Sequence, residues 1–518
     1  MRRLFDPESS QSEPRILDTG ALTFYFPAPK TVTGEPVLEL HTHGGPAIVR
    51  AVLGAIPRCP STSFVRPAEP GEFTKRAFYN NRLDLTQAEA LGDTLAAETE
   101  QQRRLAVAGA GGSLAARYEE WRGLLLQARG ELEALIDFSE DQHFDESPGE
   151  LVESITEQVL ELKKRIEVHI RNASRGELLR NGINVALLGA PNAGKSSLLN
   201  RIVGREAAIV SQEEGTTRDI VDVAVDLDGW LVRLGDMAGL RNESSLEQKE
   251  GKDARIGLVE MEGMRRARER ALAADVVVVV VSLEEAGGMA RPHIEQEVVE
   301  AVEECDKAGK AILLALNKVD KLPLGPGSRP LDAVILDLHA SFPNVPVNRI
   351  VPIACRRPHD QSHFSSPSTP ATRSSDADDG TNMPALVTGL STLFGTLTTP
   401  FGDPISASDS AHTATLSLST THRQATLLSQ SLRHLNDYLA DAQAQAHDVA
   451  KEDPGQQHAG PDASIYGHGH VDIVALAEHL RFAASCLARI TGRHAGGDGV
   501  SSSDGADVEE ILGVVFEK

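Results

Sequence analysis

Between Ile183 and Leu199 an apolar run, Val185, Ala186, Leu187 and Leu188, leads into Gly189-Ala190-Pro191-Asn192-Ala193-Gly194-Lys195-Ser196, with Ser197-Leu198-Leu199-Asn200 behind it. That order predicts a buried strand, a glycine-rich loop and a helix start. The spacing G-x-x-x-x-G-K-S suits a polyphosphate, because glycines let backbone N–H groups converge on the anion and the helix adds its positive N-terminal dipole. The residues placed to hold the phosphates are Gly189, Asn192, Ala193, Gly194, Lys195, Ser196 and Ser197. Lys195 would reach the β and γ phosphates, and the Ser196 hydroxyl would ligate Mg²⁺.

At 518 residues the chain is too long for one core, and its length fits about three domains. The longest apolar run, Val276 to Val281, is strand-sized and far short of the roughly 20 residues that cross a bilayer, so no membrane span is expected. A formal charge of −24 argues against a broad, nonspecific nucleic-acid coat while leaving room for a local basic face. Cys59, Cys305, Cys355 and Cys486 are scattered without a CxxC pair, which argues against a disulfide framework and a cysteine zinc site. The first residues carry Arg2 and Arg3 but then Asp6, Glu8 and Glu13, so no transit peptide or secretory signal is visible.

Residues from about 15 to 80 read as short strands and turns, with Ala21 to Phe26 and Pro36 to Leu40 as strands and Gly44-Gly45-Pro46 as a break before a helix. His41-Thr42-His43 offers two imidazoles without a third ligand nearby, which favours a structural or polar-pocket role over a metal site. Helical sequence then runs to about 180, opening with Thr86 as N-cap and Glu89 three residues on, the capping-box arrangement. Leu151, Ile155, Val159, Leu162, Ile166 and Ile170 recur at intervals of three and four and line one face of a long helix.

From 181 to about 398 strands alternate with helices, the pattern of a sheet covered on both faces. The strands read from sequence are 183 to 188, 221 to 227, 230 to 235, 275 to 281 and 311 to 316. Arg241 to Leu258 and His359 to Thr381 interrupt the pattern as flexible, polar insertions. Helical periodicity returns at Leu428, Leu432, Leu435 and Leu439 and again from Ile473 to Ile490, with a loose segment from Lys451 to His470 between them. Pairing of these helices with those of 85 to 180 is the economical solution, and it inserts the nucleotide domain into a helical one. The expected segments are an N-terminal domain over 1–82, a first helical part over 83–180, a nucleotide domain over 181–398 and a second helical part over 399–518.

Four further elements follow the phosphate loop in the order a GTPase requires. Gly215-Thr216-Thr217-Arg218-Asp219 lies in a loop where a threonine hydroxyl, that of Thr217, completes the Mg²⁺ shell; Thr216 lies beside it. Gly235-Asp236-Met237-Ala238-Gly239 places Asp236 near Mg²⁺ and Gly239 at the γ-phosphate. In Asn317-Lys318-Val319-Asp320 the aspartate can accept from both N1–H and the 2-amino group of guanine, a pair of donors that adenine does not present. Ile353-Ala354-Cys355 ends a last strand, where a backbone N–H of Ala354 or Cys355 would contact guanine O6.

With these motifs in place, the chain resembles the tRNA modification GTPases of the MnmE/TrmE family over nearly its whole length. The most specific stretches lie outside the GTPase motifs: Leu40 to Pro46, Pro70-Gly71-Glu72-Phe73-Thr74, Arg76-Ala77-Phe78, and Leu83 to Ala90. The resemblance implies an α/β P-loop GTPase domain inserted into a discontinuous all-α helical domain, preceded by a small α+β N-terminal domain that binds folate and dimerises. It implies a homodimer that acts on tRNA with an FAD-dependent partner of the glucose-inhibited division protein A family, using a tetrahydrofolate one-carbon donor at carbon 5 of the wobble uridine. It implies K⁺-stimulated GTP hydrolysis, with K⁺ held partly by Asn192 and a water-orienting glutamate at Glu260 within Val259 to Ala267; Arg255-Ile256-Gly257 offers a competing alignment with Ala254 in the glutamate position. It also implies a mitochondrial location, or the cytoplasm for a bacterial chain.

Several departures stand out. Met237 replaces the family threonine, Glu69 replaces an arginine, and Arg241 to Leu258 lengthens the loop before Glu260. The family's first strands have no expected counterpart before Arg15, and the family's C-terminal Phe-Cys-Ile-Gly-Lys, with its cysteine, is absent after Glu517-Lys518. A GTP-dependent binding switch, such as a ribosome-assembly factor, is the alternative; the short ends argue for it and the family-specific N-terminal motifs against it.

Overall fold

The computed structural model describes residues 1–10, 13–61, 64–138, 148–212, 223–235, 253–286, 289–322, 330–355, 381–402, 415–451 and 472–492. In chain order the first elements are β1 (Arg2–Phe5), β2 (Ile16–Phe26), β3 (Val37–His41), α1 (Pro46–Ala55), α2 (Glu72–Tyr79), α3 (Leu85–Ala96), α4 (Glu100–Ala110), α5 (Ser113–Phe138) and α6 (Pro148–Asn181). Then come β4 (Ile183–Leu188), α7 (Lys195–Arg201), β5 (Ala208–Gln212), β6 (Val223–Leu227), β7 (Trp230–Leu234), α8 (Asp253–Ala273), β8 (Val276–Ala286), β9 (Met289–His293) and α9 (Gln296–Lys307). The last are β10 (Ala311–Asn317), α10 (Leu331–Ser341), β11 (Ile350–Pro352), α11 (Met383–Thr398), α12 (His422–Lys451) and α13 (Ile473–Thr491). They cluster into two compact units, one of Met1–Leu95, Val107–Ile170 and Thr420–Lys518, the other of Ala96–Ala106 and Arg171–Ser419.

The first unit opens with an antiparallel sheet in the order β1-β2-β3. β1 corrects the expectation that nothing before Arg15 forms a family-like strand. Four residues, mostly exposed, are too few to show alternation, and β1 becomes visible only through its pairing of Arg2 with Ala21 and Phe5 with Ile16. Gly45 is extended and Pro46 takes the first turn of α1, where its missing N–H costs nothing.

The helical part of this unit has one apolar core. Ile155, Val159, Leu162 and Ile166 of α6 meet Tyr118, Leu125 and Leu132 of α5, Leu428, Leu435 and Leu439 of α12, and Leu480 and Leu487 of α13. The stripe read from sequence on α6 is therefore core, and the two C-terminal helices complete it.

The start of α3 differs from expectation. Asp84, not Thr86, is the cap: its Oδ1 accepts from the Gln87 N–H at 3.0 Å while Gln87 Oε1 accepts from the Asp84 N–H at 3.2 Å. The reciprocal pair is an Asp/Gln capping box set two residues earlier, and Thr86 donates its hydroxyl to Asp84 at 2.6 Å. Glu89 is thereby released from capping. It is buried, and it accepts from Arg423, Gln424 and the Thr421 hydroxyl at the start of α12.

Beside it lies a buried neutral group of side chains. The Tyr118 hydroxyl stands 3.0 Å from His169 Nε2 and 3.2 Å from the Thr420 hydroxyl, which is itself 2.7 Å from the same imidazole nitrogen. Tyr118 also donates to Gln424 Oε1 at 3.3 Å. A polar cluster survives in a core only when its members satisfy one another, as these do.

The second unit is built on an eight-stranded sheet in the order β11-β10-β8-β4-β7-β6-β5, with β9 paired to β8. β11, β10, β8, β4 and β7 run parallel, and β6, β5 and β9 are antiparallel additions. The unbroken valine run is explained by its two faces: Val276, Val278 and Val280 enter one core, Val277, Val279 and Val281 the other. A central parallel strand is covered on both sides, so it shows no polar alternation.

Three features of this unit depart from the sequence expectation. β5 and β9 carry no strand signal of their own, being short and partly polar. The helix α8 starts at Asp253, inside the stretch Arg241 to Leu258 that reads as a flexible insertion. Its charged residues are mostly arginine and glutamate, which are good helix formers. Residues 241–252 and 356–380 lie outside the described residues, while Thr381, at the end of the second expected insertion, is buried.

Two outcomes are expected. Burial holds the His169 imidazole neutral, aided by nearby Arg117, with its pKa lowered to about 3. Between about pH 6.5 and pH 3 the unfolded chain binds a proton here that the folded chain refuses, so acid should reduce stability by up to about 1.4 kcal/mol per pH unit. Urea midpoints measured at pH 7.5 and 5 should diverge less in His169→Gln than in the parent chain. Gly176, inside α6, has no room for a Cβ, which would lie 1.8 Å from the Leu418 carbonyl oxygen. Gly176→Ala, which would stabilise an isolated helix by about 1 kcal/mol, should here lower the thermal midpoint in calorimetry.

Candidate functional site

β4 lies between β8 and β7, so the chain order of the sheet reverses beside it, and in open α/β sheets ligands bind outside the carboxyl ends of the strands at such a reversal. The loop Gly189 to Gly194 leaves β4 at that end and leads into α7. Two of its glycines are required by space as well as by backbone. Gly189 has φ +155°, and a Cβ would meet the Val280 carbonyl oxygen at 2.3 Å; Gly194 has φ +102°, and a Cβ would lie 2.1 Å from Asn317 Nδ2. Asn192 takes the left-handed conformation with φ 60°, which asparagine tolerates better than most residues, and the residue is exposed. Lys195, the first residue of α7, holds its ammonium over the loop by donating to the Gly189 and Ala190 carbonyls at 2.8 and 3.0 Å. Ser196 and Ser197 follow in the first turn of α7.

The strand end at β10 is fastened to this loop. Asn317 is 2% exposed, and its Nδ2 donates to the Ala193 carbonyl at 2.9 Å. Its Oδ1 accepts from the N–H of Lys318 at 2.8 Å and, longer, from that of Cys355 at 3.3 Å. Lys318 is left-handed, with φ 66°, and its Nζ donates to the Asn192 carbonyl at 2.8 Å. Asn317 and Lys318 are thus fixed to adjacent residues of the phosphate loop. Asp320 follows in a short 3₁₀ turn and is exposed. Its carboxylate, when ionised, is acceptor-only and suits a ligand with paired N–H donors.

After β11, the Ala354 N–H is taken by the Thr381 carbonyl at 3.0 Å, which leaves the long-bonded N–H of Cys355 as the donor with freedom to turn to a base. Burial raises the Cys355 thiol to about 11, so this residue stays protonated and offers its backbone rather than a thiolate. Thr381 also accepts from Arg201 at 3.2 Å through its hydroxyl, tying the segment before α11 to the end of α7.

The described residues therefore bring together Gly189, Asn192, Ala193, Gly194, Lys195, Ser196 and Ser197 with Asn317, Lys318, Asp320, Ala354 and Cys355. Thr216, Thr217, Asp236 and Gly239 lie outside the described residues. Glu260 is placed by its backbone on α8, and its side chain is likewise outside them. The bonds from Asn317 and Lys318 to the loop carbonyls have no counterpart in the sequence reading. Nothing in the spacing announces them, because they depend on where β10 and the loop meet in the folded sheet.

The N-terminal imidazoles do not converge on a common cation. His41 Nε2 pairs with Glu39 at 3.1 Å, while His43 Nδ1 meets Asp18 at 2.7 Å. Asp18 also accepts the N–H groups of Gly20 and His43, and these bonds hold its carboxyl at about 2.

Comparison with known proteins gives two family matches: the MnmE helical domain over residues 85–501 and the GTP-binding protein TrmE N-terminus over residues 2–82. The chain is 44% identical over 305 residues to the tRNA modification GTPase MnmE of Paramagnetospirillum magneticum, covering 59% of this chain and 62% of that protein. It is 41% identical over 333 residues to the mitochondrial 5-taurinomethyluridine-[tRNA] synthase subunit GTPB3 of Homo sapiens, covering 64% of this chain and 63% of that protein. The match thus spans about three fifths of the length of these curated relatives. Among solved structures, a variant of Aquifex aeolicus Era bound to GDP.AlF4- is similar at 24% identity and a TM-score of 0.23, covering 33% of this chain and 51% of that one.

Gly194→Ala should reveal how tightly the loop and β10 are joined. The added methyl must displace Asn317 and hold a backbone that L-residues resist, so nucleotide affinity should fall by at least about tenfold in fluorescent-nucleotide titrations.

Proposed function

Because the chain belongs to the MnmE/TrmE family, we propose that it binds and hydrolyses GTP and serves in modification at carbon 5 of the tRNA wobble uridine. The single observation that carries the nucleotide part is the bond from Asn317 to the Ala193 carbonyl, which fixes the base-reading strand end against the phosphate loop. Asp320 would accept from N1–H and the 2-amino group of guanine, and the Cys355 N–H would donate to O6. The phosphates would lie along Gly189 to Gly194, receiving loop N–H groups and the Lys195 ammonium.

The hydroxyl of Ser196 and the amide of Asn192 are hard oxygen donors of the kind Mg²⁺ and K⁺ prefer, so the described residues fit both ions. With them bound, positive charge at the β–γ bridge would stabilise the transition state. In this proposal Thr217 and Asp236 complete the Mg²⁺ site, Thr216 and Gly239 line the γ-phosphate, and Glu260 orients the attacking water. Homodimerisation belongs to the same reading. It is supported by the three-stranded sheet, where Leu22, Phe24 and Phe26 alternate along β2 with 39%, 45% and 39% exposure on one face. Modification would further require the FAD-dependent partner, a tetrahydrofolate donor and tRNA, in a mitochondrion or a bacterial cytoplasm.

GTP turnover should rise when Na⁺ is replaced by K⁺ and fall by about 100-fold in Asn192→Ala and in Glu260→Ala. Turnover indifferent to the cation and to both substitutions would refute the mechanism. Mass analysis of tRNA from cells lacking this chain should show unmodified wobble uridines; unchanged tRNA would instead favour a GTP-dependent binding switch.

A further inference from the structure

Outside the nucleotide site, α12 and α13 carry a cluster of metal-ligating side chains that no established role absorbs. His434 and Asp437 stand three residues apart on α12, hence on one face of it, and His479 projects from α13. One ligand atom from each of the three lies within 4.8 Å of the others. The cluster mixes two imidazoles with one carboxylate, rather than being a patch of acids whose mutual repulsion water would screen.

A second carboxylate adjoins the cluster. Asp441, one turn beyond Asp437 on α12, lies 3.0 Å from His479 Nε2. A neutral imidazole that donates there carries its lone pair on the other ring nitrogen. A carboxylate behind a histidine is the arrangement that orients metal-bound imidazoles and raises their basicity. On the other side, His434 stacks on Phe482 of α13 with ring centroids 5.4 Å apart and an interplanar angle of 28°, and the Arg481 guanidinium lies over that phenyl ring at 4.8 Å. Both imidazoles are only partly exposed, and Asp437 is open to solvent.

We propose that His434, Asp437 and His479 bind a divalent transition-metal ion, zinc by preference, that staples α12 to α13, with Asp441 as the positioning residue for His479. Two nitrogens and one oxygen suit Zn²⁺, which takes bonds of about 2.0–2.2 Å to such ligands. Tetrahedral ligands at those lengths stand roughly 3.3 Å apart, so the ligand atoms, now within 4.8 Å of one another, would draw together on binding. One carboxylate offsets half the charge of the ion, and the remaining coordination positions face solvent and take water.

The test uses the full chain without a histidine tag. Because the chain has 17 histidines, the double variant His434→Ala/His479→Ala serves as the baseline. The parent chain should bind one more equivalent of Co²⁺ than this variant, with the intense visible bands of a four- or five-coordinate ion. Asp437→Asn changes an exposed group and keeps both helices, yet should weaken Co²⁺ binding at least about tenfold; Asp441→Asn should weaken it about tenfold. Zn²⁺ should raise the thermal midpoint of the parent chain reversibly with EDTA, and leave that of the double variant unchanged. Equal Co²⁺ stoichiometry and spectra in the parent and the double variant, or Zn²⁺ stabilisation that persists in the double variant, would overturn the proposal.

Discussion

The grip of Asn317 on the Ala193 carbonyl is the interaction on which the nucleotide site depends. It joins the end of β10 to the loop after β4, two strands that are not neighbours in the sheet but are both paired with β8. A buried amide has few permissible partners, and one that is satisfied on both its nitrogen and its oxygen cannot turn without leaving a polar group unpaired at a cost of about 1–3 kcal/mol. The absence of a side chain at Gly194 permits the approach, and the Lys318 ammonium on the Asn192 carbonyl repeats it one residue away. Base recognition and phosphate recognition therefore share one rigid frame, and neither loop can move alone.

The first unit solves a different problem. Its core is mostly leucine, isoleucine and alanine on helices, a surface that would tolerate several registers of helix on helix. Glu89, His169, Tyr118, Thr420 and Gln424 remove that freedom, because their hydrogen bonds exist in only one register. Desolvation makes such groups costly when unpaired, and that cost discriminates against misaligned packings more sharply than apolar contact does.

How much of this is legible in advance varies with the kind of signal. The phosphate loop, the valine strand and the apolar stripe of α6 depend on local spacing, and the sequence displays them directly. The cap of α3 lies two residues from its expected place because Asp84/Gln87 and Thr86/Glu89 present the same spacing, and only the burial of Glu89 against Arg423 separates them. β1 and β5 are short strands whose existence follows from a partner rather than from their own pattern. The bond from Lys318 to Asn192 spans 126 positions, and the gathering of His434, Asp437 and His479 spans two helices; no periodicity within either segment encodes such meetings. Charge also misleads, since α8 begins within a polar stretch whose residues favour helix.

The two ends of the second unit's main segment lie side by side. Asn172 donates to the Ser417 hydroxyl at 2.8 Å, Arg180 donates to the Ser419 carbonyl at 3.0 Å, and Gly176 allows Leu418 to approach the helix between them. A segment that departs and returns at one point interrupts its host only as a long loop would, and the entropy of closing such a loop grows merely with the logarithm of its length. The seam thus holds both ends of that segment at one place, so the length of chain between them bears little on the cost of closing it.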